Sequence, residues 1–287
     1  MGWVESLQRA INYIEENLLE TISIESIAKQ ANVSEFHFQR TFAILTDITV
    51  GDYIRRRRLT LAAQELSHSS SKIIDIALKY GYDTPEAFAK AFRRQHGITP
   101  SQARNYSGKL KSYNRLAIQV ILKGAEPMNY KIIERDGFTV VGVKREFSCQ
   151  NGENLEGIPK MWGDVHRDGT NDLLFSLNHG EIKGVLGVCV DKRGGEQSEL
   201  MDYWIATEYA GDTPEKLMHL EIPASKWGVF EVHGAMPEAM QQAWKQIFSE
   251  WFPSSHYKHA GTPDLEVYPA GDPWSPNYYS EIWIPLK

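Results

Sequence analysis

The sequence predicts a multidomain chain of two fold classes. The N-terminal part is all-α, with two helix-turn-helix units joined by a long helix. The C-terminal part is α+β, built from two β-α-β-β repeats. Three observations lead there. A helix, tight turn, helix pattern occurs twice, about fifty residues apart. Near residue 129 the hydrophobic period changes from helical to alternating. Formal charge also divides, +1 over residues 1–107 and −7 over 108–287. The resulting domains are 1–107, a linker 108–128, and 129–287.

A chain of 287 residues can bury two ordinary cores. No run of eighteen apolar residues and no basic-then-apolar N-terminus is present, so a cytoplasmic protein without a membrane partner is expected. Cys149 and Cys189 are far apart and lack metal-ligand spacing. No metal site, disulfide framework or cofactor is expected. The sequence contains no Gly-rich phosphate loop or Ser/His/Asp order above chance, so no catalytic residue is assigned.

Residues 3–19 place Val4, Leu7, Ile11, Ile14 and Leu18 at helical spacing, with Glu15, Glu16 and Glu20 on the outer face. Ser23 caps the next helix, and Ser34 caps a first reading helix running from Glu35 to about Leu45. There Phe38 and Phe42 turn inward. Phe36, His37, Gln39 and Arg40 are left outward, a set able to meet thymine methyls, base edges and phosphates. Residues 50–67 then form one helix of roughly 27 Å, which can set the two units onto successive major grooves about 34 Å apart. That helix carries Arg55-Arg56-Arg57-Arg58. At least one of the four must point inward, and Arg55 and Arg56 are candidate phosphate contacts.

The second unit is the sharper. Ile73, Ile76, Ala77 and Tyr80 make a short helix closed at Gly81. Asp83 or Thr84 caps the next, with Pro85 in its first turn and Gly97 at its end. Phe88, Ala91 and Phe92 face inward. Thr84 and Glu86 at the helix start, and Lys90, Arg93 and Arg94 along it, are candidate DNA contacts. Pro85 and Ala87 give only apolar contact, so the first unit is expected to supply most base reading.

The correspondence of Phe38 and Phe42 with Phe88 and Phe92, and of Asp47-Ile48-Thr49 with Gly97-Ile98-Thr99, marks an internal repeat. On these motifs residues 3–105 resemble the AraC/XylS family of bacterial transcription activators. The resemblance implies that Phe36, Gln39 and Arg40 lie in the major groove. It also implies double-stranded promoter DNA and RNA polymerase as partners.

Between the domains, Leu116-Ala-Ile-Gln-Val-Ile-Leu122 is too apolar for a free linker and reads as a docked helix or strand. Strands follow at 131–134 and 139–143 around Asp136-Gly137, then helical stretches at 158–165 and 172–177, then strands at 183–190 and 201–208. The order recurs with a strand at 226–233, an amphipathic helix at 236–251 and strands at 265–268 and 279–284. Asp202-Tyr203-Trp204-Ile205 and Glu281-Ile282-Trp283-Ile284 end the two repeats alike.

Trp227-Gly-Val-Phe-Glu-Val-His-Gly, Asp264-Leu-Glu-Val-Tyr-Pro and Ser280-Glu-Ile-Trp-Ile-Pro resemble the GyrI-like effector-binding domains. The resemblance implies a cleft between the repeats that takes a small lipophilic, often cationic, effector, with Glu281 inside it. Alternation independently puts Tyr279, Glu281 and Trp283 on one strand face, a carboxylate between aromatics that suits a delocalised cation. Trp204, Tyr203, Trp162 and Tyr268 are further candidates for the same cavity. Two other readings stand beside sensing. Glu281 could be the general base of a GyrI-like hydrolase, or the C-terminal domain could be only a protein-protein module.

Overall fold

The structure is a computed structural model that describes residues 3–118, 127–148, 153–191 and 200–287. It divides into two compact units, residues 1–33 with 48–121 and residues 34–47 with 122–287. Cys149 and most of the apolar run 116–122 lie outside the described residues.

The first unit holds α1 (Trp3–Glu16), α2 (Ile24–Ala31), α4 (Val50–His68), α5 (Ile73–Lys79), α6 (Pro85–His96) and α7 (Pro100–Ala103), while α3 (Glu35–Thr46) belongs to the second. Local chemistry sets the helix ends. Ser23, Thr49 and Thr84 accept backbone N–H groups of Ser26, Asp52 and Ala87, satisfying first-turn donors. Asn32 and Gly97 take left-handed backbone after α2 and α6. Gly81 has φ +81°, and a Cβ there would lie 2.5 Å from the Arg58 guanidinium, so two constraints hold the position to glycine.

Leu59, Ala62, Leu66, Ile76, Ala77, Phe88 and Phe92 form the core between α4, α5 and α6. Two of the four consecutive arginines on α4 turn inward. Arg57 forks onto the Glu15 carboxylate at 2.8 and 2.9 Å, with Tyr53 as a second donor. Arg58 donates to the carbonyls of Leu18 and Glu20. Residues 106–118 form neither helix nor strand. They are docked by the N–H of Tyr113 on Thr60, of Leu116 on Tyr53 and of Ile118 on Gln8.

The second unit is built on one antiparallel sheet of β1 (Tyr130–Arg135), β2 (Phe138–Ser148), β3 (Val185–Asp191), β4 (Leu200–Glu208), β5 (Met218–Ile222), β6 (Ser225–His233), β7 (Asp264–Tyr268) and β8 (Tyr279–Leu286). Its order is β1-β6-β8-β7-β3-β4-β2-β5. Exchanging every strand with the one four places away gives the same order read from the opposite edge, so each half supplies the outermost strand of the other. The sequence-derived repeat lacked β5, a five-residue edge strand paired only with β2 and stopped by Pro223. Each half therefore carries two strands before its helices.

α8 (Glu153–Arg167) and α9 (Thr170–Leu177) cover one half of the sheet, packing Met161, Val165 and Leu174 with Val141, Tyr203 and Ile205. α10 (Glu238–Gln246) packs on β6. It runs on as a π-helical turn (Ile247–Trp251) into α11 (Phe252–Ser254), where a single amphipathic helix was expected. A second cluster, Val188, Trp204, Trp227, Val229, Leu265 and Trp283, lies on the opposite sheet face.

Candidate functional site

Alternation along β7 sends Leu265 and Val267 to the second cluster and Asp264, Glu266 and Tyr268 to the other face. Glu266 sits among aromatic donors. Its Oε1 accepts the Trp244 indole N–H at 2.7 Å, and Oε2 accepts the Tyr268 hydroxyl at 3.0 Å and the Tyr203 hydroxyl at 3.4 Å. Tyr203 Oη in turn accepts the Trp162 indole N–H at 3.0 Å. The Trp162 ring meets Tyr268 edge-on at 5.1 Å. Burial, then the Glu266 charge, holds both phenols well above the usual tyrosine range, so both remain donors. Gly187 on β3 forms the floor: a Cβ there would lie 2.3 Å from Tyr203 Oη and 3.1 Å from Glu266 Oε2.

Beside this box lies α3. The Arg40 side chain is only 12% exposed, ion-paired to Asp264, with its guanidinium carbon 4.1 Å from the Trp244 ring centroid. Asp264 also accepts the Nε2–H of His259 at 2.6 Å. Burial alone would raise the Asp264 carboxyl. The charges of His259 and Arg40 and the hydrogen bond from His259 overcome it and hold the group at about 2. His37 lies against His259 with ring centroids 4.3 Å apart and planes tilted by 31°, and meets Phe248 edge-on. Phe36 enters the cluster that contains Tyr203 and Cys189.

These contacts correct the expectation that Phe36, His37, Gln39 and Arg40 face outward. Phe36, His37 and Gln39 are 6%, 6% and 5% exposed, and Phe38 and Phe42 are buried too. A helix apolar or aromatic on both faces is buried on both.

The ligand candidates also separate. Tyr203, Trp162 and Tyr268 gather at Glu266. Tyr279 and Trp283 gather at Glu281, whose two oxygens accept the Tyr279 hydroxyl and the Trp283 indole N–H, with Lys131 at 4.0 Å. Trp204 joins Trp283 in the second cluster. Neighbouring residues on a strand point to opposite faces, so Tyr203 and Trp204 cannot line one cavity. Glu266 itself was overlooked. The signal was present in Glu266-Val-Tyr268, a carboxylate and an aromatic two apart, the pattern that singled out Glu281 and Trp283.

On α6, Thr84, Glu86, Lys90, Arg93 and Arg94 are all exposed. On α4, Arg55 and Arg56 are half-buried and both ion-paired with Asp52. A phosphate would have to compete with that carboxylate. Among the described residues no helix is long and apolar enough to cross a membrane, and no His/Cys/Asp/Glu group could hold a metal.

The family model of an integron-associated effector binding protein matches residues 131–286, and that of a helix-turn-helix domain matches 27–106. The HTH-type transcriptional regulator YbfP of Bacillus subtilis is 35% identical over 143 residues, 47% of this chain and 48% of its own, so the chain spans about half that relative. The right origin-binding protein of Escherichia coli K12 is 30% identical over 286 residues, 96% of both chains. Among solved structures, SAV2435 bound to tetraphenylphosphonium is 28% identical with a TM-score of 0.50, over 56% of this chain and 94% of that one. Two domain matches and one relative aligned along nearly its whole length agree: this chain belongs to the AraC-type helix-turn-helix regulators that carry a GyrI-like effector-binding domain.

Proposed function

We propose that the protein is a sequence-specific DNA-binding transcription regulator whose second unit senses a small lipophilic cation in a cleft at Glu266. The observation that carries this reading is a carboxylate that accepts from Trp244, Tyr203 and Tyr268, with Trp162 behind the two phenols. A carboxylate is costly to bury unless donors or a cation satisfy it. Aromatic faces add attraction for a delocalised charge. Similarity to SAV2435, solved with tetraphenylphosphonium, supports the ligand class. On the DNA side, support comes from α6, whose exposed Lys90, Arg93 and Arg94 suit phosphates.

Sensing at Glu281 has less support, because the chain's own Lys131 already stands 4.0 Å from its carboxylate. No observation favours the hydrolase or the protein-protein reading over sensing. Calorimetry of tetraphenylphosphonium against the full chain tests the proposal. Binding that is lost in Glu266→Gln and kept in Glu281→Gln is expected; the reverse pattern would move the effector to Glu281.

A further inference from the structure

We infer that Arg40 of α3 acts as an internal counterpart of the effector cation, so that effector binding at Glu266 releases α3 for DNA reading. The inference rests on the proposed effector site and adds its regulation. Three observations carry it.

First, Arg40 already makes the contacts a lipophilic cation would seek. Its guanidinium lies over the Trp244 ring while the N–H of the same indole donates to Glu266. A carboxylate, Asp264, completes its pairing. A cation entering between Trp244 and Glu266 therefore perturbs the ring on which Arg40 rests.

Second, the residues of α3 suited to base edges are the ones held. His37 is pinned between His259 and Phe248, and Arg40 by Asp264 and Trp244. Gln39 is buried as well. A side chain so enclosed cannot reach a major groove, whereas the equivalent face of α6 is open.

Third, the hold is balanced rather than tight. A buried Arg–Asp pair gains little net stability over its desolvation. The Gln39 amide nitrogen is buried without a hydrogen-bond partner among the described residues, which costs free energy. The far end of α3 is tied by an exposed ion pair, Lys245–Asp47 at 2.8 Å, of the kind that contributes little. A two-state element near balance is what a ligand can tip. Coupling of this kind is reciprocal and typically 5- to 150-fold.

Two measurements on the full chain test the inference. In the first, calorimetry compares tetraphenylphosphonium binding to wild type and Arg40→Ala. Removing the internal competitor should tighten binding about tenfold. Equal affinity overturns the competition and leaves the effector site standing. Absence of binding to both proteins overturns the effector site and the competition with it.

In the second, fluorescence anisotropy reads affinity for promoter DNA with and without the same probe. Asp264→Asn should bind DNA more tightly than wild type without the probe and respond less to its addition. Should Asp264→Asn fail to fold, Lys245→Asp, at the exposed rim opposite Asp47, should shift DNA affinity in the same direction by less. Unchanged DNA affinity in every folded variant would show that α3 is not withheld.

Discussion

The Trp244 indole N–H donates to the Glu266 carboxylate at 2.7 Å. The face of that ring carries Arg40. One side chain thus joins the candidate effector site to the candidate reading helix, and its geometry makes the first prediction direct. Trp244→Phe keeps the ring face and removes the N–H. It should lower tetraphenylphosphonium affinity several-fold, since Glu266 loses its shortest donor, while α3 stays in place. Trp244→Ala should disturb both. Calorimetry and amide hydrogen exchange across residues 35–46 separate the two effects.

Charge at Glu266 is the second. Glu266→Gln should weaken tetraphenylphosphonium by about tenfold or more, roughly 1.4 kcal/mol, and the neutral triphenylphosphine oxide much less. Equal losses for both compounds would place the cation's partner elsewhere.

Gly187 supplies the third. Gly187→Val would press on Tyr203 Oη and Glu266 Oε2, the atoms nearest its missing Cβ. Overpacking costs about 1–3 kcal/mol, so the melting temperature should drop modestly. The probe's affinity should drop further than any variant of matched stability on the opposite sheet face.

Acid should loosen α3. Burial, then the neighbouring positive charges of His259 and Arg40, keeps the His37 imidazole well below its ordinary 6.5, and Lys287 adds to them against Asp264. A released His37 takes up a proton below 6.5, whereas the held one does not. The held state is therefore favoured above that pH and weakens as pH falls through it, by up to about 1.4 kcal/mol per pH unit for one proton. Asp264, at about 2, stays charged throughout this window. Protection of the α3 amides, corrected for intrinsic exchange, should be lower at pH 5.5 than at 7.5, and His37→Gln should abolish the difference.

The arginines should divide by role. Arg57 and Glu15 are 12% and 8% exposed and form a bidentate pair, so Glu15→Gln should cost about 3–5 kcal/mol of first-unit stability. Arg93→Ala should leave stability unchanged, weaken DNA binding for all sequences alike and reduce the salt slope by roughly one. Thermal melts and salt titrations of DNA affinity check both halves.

Much of this architecture was legible in the sequence because local chemistry specified it. Ser34, Thr84, Gly81 and Gly97 set helix ends whatever surrounds them, and alternation located seven of the eight strands. Tertiary partners were not legible. Periodicity shows which face of α3 is apolar, but not that a second surface covers Phe36, His37 and Arg40. Arg40 and Asp264 are 224 residues apart, and no local rule joins them. The same limit hid which of four like arginines turn inward, since Arg57 depends on a carboxylate 42 residues away. At Glu266 the failure was different. Its two-residue pattern with Tyr268 is as plain as that of Glu281 with Trp283, but only the sheet register shows which of the two carboxylates faces the helices.

The exchange of outermost strands has a mechanical consequence. β1 hydrogen-bonds to β6 and β5 to β2, so each half of the sheet is clasped by the other. Cutting the chain between β4 and β5 would not yield two separable lobes, and the nicked fragments should co-elute on gel filtration under native conditions. The halves cannot swing apart as jaws around a guest without breaking a strand ladder. Admission of a molecule to Glu266 must therefore come from the helices and α3 shifting over a sheet that keeps its shape.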